Sequence, residues 1–321
     1  MPRRLPLSLL MIVTLGWLAA CTTPSAEPTA TVPVPTLAPT LRPPPPTPVF
    51  GAFDPASVAH INLADYPIIP EISPTARQLY VDGLAGGSNP RVFSKLGDCM
   101  TENPYFLLTF AEGRYDLGPY AELQAVLDHF GGEPARDGGW TLDSFATVGL
   151  AAASGFNIAG PLDATWANPE WCKGGESPAA CEYRVARPSV ALLMFGTNDV
   201  DYTDGVSYDY FLRTLVIQTI DAGVLPVLST FPTRPENPEK SLLLNQVVVS
   251  VAQDYDLPLI NLNRALEPLP NHGVNPADTI HLSVPPDGRV DVFTPENLQS
   301  GFTVRNLVTL QTLAAILEAA E

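Results

Sequence analysis

Positive charge is scarce in this chain. Lysine and arginine together number 17 in 321 residues against 34 aspartates and glutamates, a formal net charge of −17. A surface of that sign repels phosphate backbones, so nucleic acid is excluded as an expected partner. Histidine and cysteine are sparse, four of each, and their spacing matches no metal-ligand pattern. No zinc site is therefore expected, and no cofactor is assigned. The chain shows no internal repeat and no acidic run dense enough to mark a specialised tail. Its one early apolar run, residues 5–20, is short for a membrane-spanning helix.

That run follows Arg3 and Arg4 and reads as an export signal. It closes in Leu18-Ala19-Ala20-Cys21, which resembles a bacterial lipobox, where the cysteine is lipidated and becomes the mature N-terminus. A soluble signal peptide with a chance cysteine is the alternative. The lipobox reading makes the membrane a partner through the anchor and places the protein on the outer face of the cell envelope. Removing residues 1–20 takes the formal charge from −17 to −19, since only two arginines and no acids are lost. Proline is where the sequence is rich: residues 22–50 hold ten prolines and seven threonines. Such a segment builds no core and favours extended chain, a spacer reaching up to roughly 90 Å at about 3.1 Å per residue. Cys172 and Cys181 lie close together in a loop of an exported protein and are expected to pair. Cys99 is left over as an odd thiol.

The folded part is read as residues 51–321, one α/β domain. Strands are expected at 91–96, 142–148, 190–195, 224–229 and 257–262. Helices are expected near 73–84, 119–130, from Ser207 to Gly223, 239–255 and 303–320, with a long cysteine-containing loop over 162–186. Strands alternating with helices imply βαβ units and a mainly parallel five-stranded sheet.

In that layout Cys99, Gly155 and Asn198 each follow a strand, and the carboxyl edge of a parallel sheet is where ligands bind. Asp278 and His281 stand with two residues between them, a spacing that lets the carboxylate orient the imidazole. Reactivity then assigns roles. His281 takes the proton from Cys99, and Asp278 fixes the tautomer and stabilises the imidazolium. The Asn198 side-chain amide and the Gly155 and Cys99 backbone N–H groups form an oxyanion hole. His60, His129 and His272 have no partner pattern, and Asp98 and Asp199 read as turn-holding residues. Trp166 and Trp171 read first as packing under the cysteine loop, with a sugar-binding cleft as the alternative.

Four motifs in order, Gly97-Asp98-Cys99, Ser154-Gly155, Gly196-Thr197-Asn198-Asp199 and Asp278-x-x-His281, resemble those of the SGNH (GDSL-like) hydrolase family over about residues 91–317. The resemblance implies a flavodoxin-like three-layer α/β fold and metal-free ester hydrolysis, with a small-molecule, glycan or lipid ester as substrate. The chain departs from the family where Cys99 replaces the nucleophilic serine. A thiol beside a histidine can form a thiolate–imidazolium pair, yet a longer-bonded sulfur sits differently in an oxyanion hole shaped for oxygen. Two readings follow: an esterase, or a non-catalytic binder of a glycan or envelope component on a degenerate hydrolase fold. The sequence is silent on oligomeric state.

Overall fold

A run that is apolar at every position, such as Val190–Met194, is stable only where a sheet is covered on both faces. In the computed structural model, which describes residues 47–321, it lies in a four-stranded parallel sheet. The strands are β1 (Asn89–Gly97), β2 (Pro188–Met194), β3 (Leu225–Ser229) and β4 (Leu259–Ile260), side by side in that order. Every residue of β2 and β3 is buried. The export signal, Cys21 and all of the Pro/Thr-rich spacer before Thr47 lie outside the described residues.

The helices are α1 (Pro74–Ala85), α2 (Cys99–Glu102), α3 (Gln124–Phe130), α4 (Pro178–Ala186), α5 (Asp199–Tyr202), α6 (Gly205–Asp221), α7 (Pro238–Asp254), α8 (Leu262–Leu266) and α9 (Gly301–Ala320). α1, α3 and α9 pack together and against the strands, while α4, α6 and α7 form the opposing group. The result is a three-layer α/β domain with one main apolar core and a small satellite of Val92, Ala135 and Ala186. Among the described residues no helix is long and apolar enough to cross a membrane.

Residues 142–148 do not form the expected strand. Their polar backbone is engaged by side chains instead: Lys95 Nζ donates to the Phe145 carbonyl at 2.9 Å and Arg136 to the Val148 carbonyl at 2.7 Å. The ladder to β1 shrinks to one parallel bridge between Gly97 and Ala152. Gly149 permits that approach, because a Cβ there would stand 2.0 Å from the Lys95 carbonyl oxygen. If this bridge is counted as a strand, the order in chain sequence is 2-1-3-4-5, the flavodoxin-like order. The sheet therefore has four strands, not five.

The strand expected at 257–262 is reduced to two residues, since Pro258 has no N–H and Asn261 leaves the ladder to cap α8. Asp204, not Ser207, caps α6, accepting the Ser207 N–H at 2.8 Å. The cysteine loop also contains a helix that was not expected, α4, begun by Ser177 and Pro178. Cys172 and Cys181 form the expected disulfide, with Cα atoms 5.2 Å apart, tying that loop to α4.

Candidate active site

β1 runs into α2 through Asp98, whose side chain accepts the Met100 N–H at 3.0 Å and caps the helix. Cys99 is thus the first helical residue at the carboxyl end of β1, half-buried and free. β2 ends in Gly196, where φ is +134° and a Cβ would stand 2.1 Å from the Phe231 ring, so only glycine makes this turn. The turn delivers Asn198 to the N-terminus of α5, with its Nδ2 donating to the Phe156 carbonyl at 2.8 Å. Gly155 is exposed at φ +83°. The loop carrying it is held by Glu102, which accepts the Ser154 N–H at 2.6 Å and also its hydroxyl.

His281 and Asp278 are joined. The ring Nδ1 lies 3.1 Å from Asp278 Oδ2, while Asp278 Oδ1 accepts the backbone N–H groups of Ile280 and His281 at 2.9 Å each. Partial burial opposes ionisation of Asp278, but those two N–H groups and the imidazole outweigh it and hold the carboxyl below its ordinary value. Nε2 is left as the ring nitrogen open to a reacting partner. Among the described residues no hydrogen bond joins the Cys99 sulfur to the ring.

The electrostatics beneath Cys99 differ from those expected for a Cys–His pair. Burial pushes the Cys99 thiol up to about 12, and the Asp98 and Glu102 carboxylates add to the shift. The resting sulfur is therefore a thiol, and a preformed thiolate is disfavoured. Burial likewise raises Asp98 and Asp199 to about 6 each. Asp199 keeps its turn together by accepting the Ile158 N–H at 3.0 Å and the Thr203 hydroxyl at 2.8 Å. Under the turn lie two buried cations. Arg305 donates to the Met100 carbonyl at 2.7 Å and stacks 3.6 Å over the Phe106 ring, and burial lowers it to about 9. Burial and the nearby Arg305 lower Lys95 to about 7.

Sequence reading missed a second set of residues that shape the site. Arg234 donates to the Thr197 carbonyl at 3.0 Å, to Asp201 at 3.1 Å and to Glu236 at 3.3 Å. Glu236 in turn accepts the hydroxyl of Thr279, inside the Asp278–His281 turn. The only sequence signal was a polar, proline-broken segment directly after a strand end. Glu102 and Arg305 had none. Trp171 does pack, edge-on to Trp140 at 5.5 Å and against the Arg136 guanidinium at 5.3 Å. Trp166 makes only an edge contact with the Phe156 ring and stays 64 % exposed. His129 and His272 bond backbone carbonyls at 2.8 and 2.9 Å. Among the described residues no cluster of three or more His, Cys, Asp or Glu side chains could hold a metal ion.

No family model matches the chain, and no curated protein matches it. Among solved structures it is similar to an acetylxylan esterase from Geobacillus stearothermophilus (17 % identity, 71 % of this chain and 94 % of that one, TM-score 0.43). It is also similar to a lipase/acylhydrolase from Enterococcus faecalis (16 % identity, 71 % and 96 %, TM-score 0.43). An alpha/beta hydrolase enzyme from the metagenome of Lake Arreo matches at 14 % identity, 72 % and 96 %, TM-score 0.43. Likenesses of this degree transfer nothing about the site to this chain.

Proposed function

We propose that the protein is an envelope-anchored ester hydrolase of the SGNH type, lipidated at Cys21 and acylated in turnover at Cys99. What supports the proposal is the Asp278–His281 pair, an imidazole oriented by a carboxylate, together with a reduced cysteine at the carboxyl end of β1, the only one among the described residues. Because the thiol rests protonated, His281 must act as base within the step. As Sγ attacks the ester carbonyl, its proton passes to Nε2. The carbonyl oxygen becomes an oxyanion facing Asn198 Nδ2 and the Gly155 and Cys99 N–H groups. Collapse expels the alcohol, which takes the proton from Nε2, and leaves a thioester on Cys99. Water, deprotonated by Nε2, then adds to the thioester carbonyl, and the acid departs as the sulfur regains its proton.

The full chain is expected to hydrolyse p-nitrophenyl acetate, with activity lost in Cys99→Ala and in His281→Ala. Activity unchanged in either variant refutes the roles assigned. For the anchor, the chain is expected in the membrane fraction and Cys21→Ala in the soluble one; an equal distribution of both refutes it.

A second reading, a binding protein on an inactive hydrolase site, is favoured by one feature: burial, reinforced by the Asp98 and Glu102 carboxylates, opposes a thiolate at Cys99. An inert parent that gains esterase activity on Cys99→Ser supports that reading. Rapid acylation of Cys99 excludes it.

A further inference from the structure

A cleft of about 530 Å³ opens beside Gly155, lined by Ser154, Phe156, Asn157, Asp163, Trp166 and Tyr202 among others. That size falls within the range of small-molecule sites. Its two large rings are the most solvent-exposed aromatic side chains among the described residues, Trp166 at 64 % and Tyr202 at 78 %. Neither contributes much burial to the fold, so folding does not account for them.

The indole is nonetheless held. Asp163 caps the short helix Ala164–Trp166 by accepting the Thr165 N–H at 2.9 Å, and the indole rests edge-on against Phe156 with centroids 6.1 Å apart. Tyr202 stands one helical turn beyond Asn198 on α5. Asn198 binds the Phe156 carbonyl, so the wall of the cleft and the oxyanion residue are one unit. Polar residues also line the cleft. Asn157 uses its Oδ1 on the Ala159 and Gly160 N–H groups at 3.1 and 3.2 Å, and Asp163 presents a carboxylate.

A fixed indole and a second solvent-facing ring, with hydrogen-bonding groups among the lining residues, suit a ligand with apolar faces and a polar perimeter. A pyranose ring has that form, with C–H groups on its faces and hydroxyls around its rim. An acyl chain would require an enclosed apolar channel, and Ser154, Asn157 and Asp163 put polar groups into the lining of this cleft. An anionic ligand is opposed by Asp163 and by a chain of net charge −17. We propose that the Trp166–Tyr202 cleft is a saccharide subsite that stacks a neutral pyranose unit, continuous with the site at Cys99. The assignment deepens the hydrolase reading by naming a glycan as the part of the ester that is recognised, but the binding itself needs no turnover.

The test is isothermal titration of the full chain with cellotetraose, xylotetraose and chitotetraose, and with tetramethylammonium as an organic cation. At least one tetrasaccharide is expected to bind with a Kd of about 1 mM or tighter. Trp166→Ala and Tyr202→Ala are each expected to weaken that binding roughly tenfold, about 1.4 kcal/mol. Circular dichroism of each variant reports whether the fold is kept, and chemical-shift changes at the indole N–H of Trp166 provide a second measure that needs no substitution. Absence of saccharide binding, binding indifferent to both substitutions, or binding of the ammonium ion alone overturns the proposal. Saccharide binding without esterase turnover keeps the subsite and sinks the hydrolase reading; turnover without saccharide binding does the reverse.

Discussion

Glu236 accepts a hydrogen bond from Thr279, a β-branched residue held at φ +55° between Asp278 and His281. Left-handed backbone is costly for a side chain of that shape and persists only where surroundings enforce it. The enforcing chain is explicit. Arg234, buried, grips the Thr197 carbonyl on one side and Glu236 on the other, so the turn bearing the imidazole is tied to the turn bearing Asn198. Thr279 also holds the Glu236 carboxyl below its ordinary value by bonding the charged form.

Glu236→Ala is therefore expected to misplace the imidazole, not to unfold the domain. Loss of kcat on p-nitrophenyl acetate should be roughly tenfold to a hundredfold, with KM little changed. Glu236→Gln, which can still accept from the Thr279 hydroxyl, should recover much of the loss. Equal kcat in Glu236→Ala and the parent would show that the turn holds its shape alone.

Cys99 titration tests the electrostatics under the site. With the thiol pushed up to about 12 from its ordinary 9.0, alkylation by iodoacetamide should keep rising past pH 10 in the folded chain. In urea the same residue should level off near its ordinary value. Glu102→Gln removes one of the carboxylates that raise it and should speed alkylation at pH 9, followed by mass spectrometry of the peptide containing residue 99. A folded-state plateau below pH 9 would mean that a thiolate is stabilised after all.

The parts of the fold carried by local pattern were legible in the sequence. The apolar run that became β2, the Ser73-Pro74 start of α1 and the Gly196-Thr197-Asn198-Asp199 turn each state their structure within a few residues. Residues 142–148 were not legible, because what decides them is a lysine about fifty positions upstream and an arginine and a glutamate on other segments. A strand-like composition shows propensity, but it does not show whose side chain will take the carbonyl. The Asp278-x-x-His281 spacing signalled the pair; nothing within that spacing signalled that Thr279 must be held by Glu236 from 43 residues away.

The segment that replaced a fifth strand hangs on a buried ion pair. Arg136 and Glu182 meet at 3.1 Å with side chains 4 % and 2 % exposed, and Glu182 also accepts from Ser94 and from the Leu150 N–H. Removing one partner leaves an uncompensated buried charge, which costs about 3–5 kcal/mol. Arg136→Met should lose that much in urea unfolding, and Glu182→Gln, which keeps acceptor capacity, should lose less than Glu182→Ala. A change below 1 kcal/mol in Arg136→Met would mean that water reaches the pair.

Asp199 links stability to pH in a direction opposite to most carboxylates. Burial raises it from an ordinary 3.8 to about 6, so between those values the folded chain holds a proton that the unfolded chain has released. Its contribution to stability is complete below pH 3.8 and is lost as pH rises through about 6. Asp199→Asn keeps Oδ1 to accept from Ile158 and Thr203 but has nothing to ionise. The Tm of Asp199→Asn relative to the parent should therefore climb from pH 4 to pH 6 and then stay level. Because the comparison is variant against parent at each pH, titration of the remaining acids cancels to first order. A relative Tm that stays flat across this window, or falls, would show that the carboxylate is solvated or paired in the folded chain.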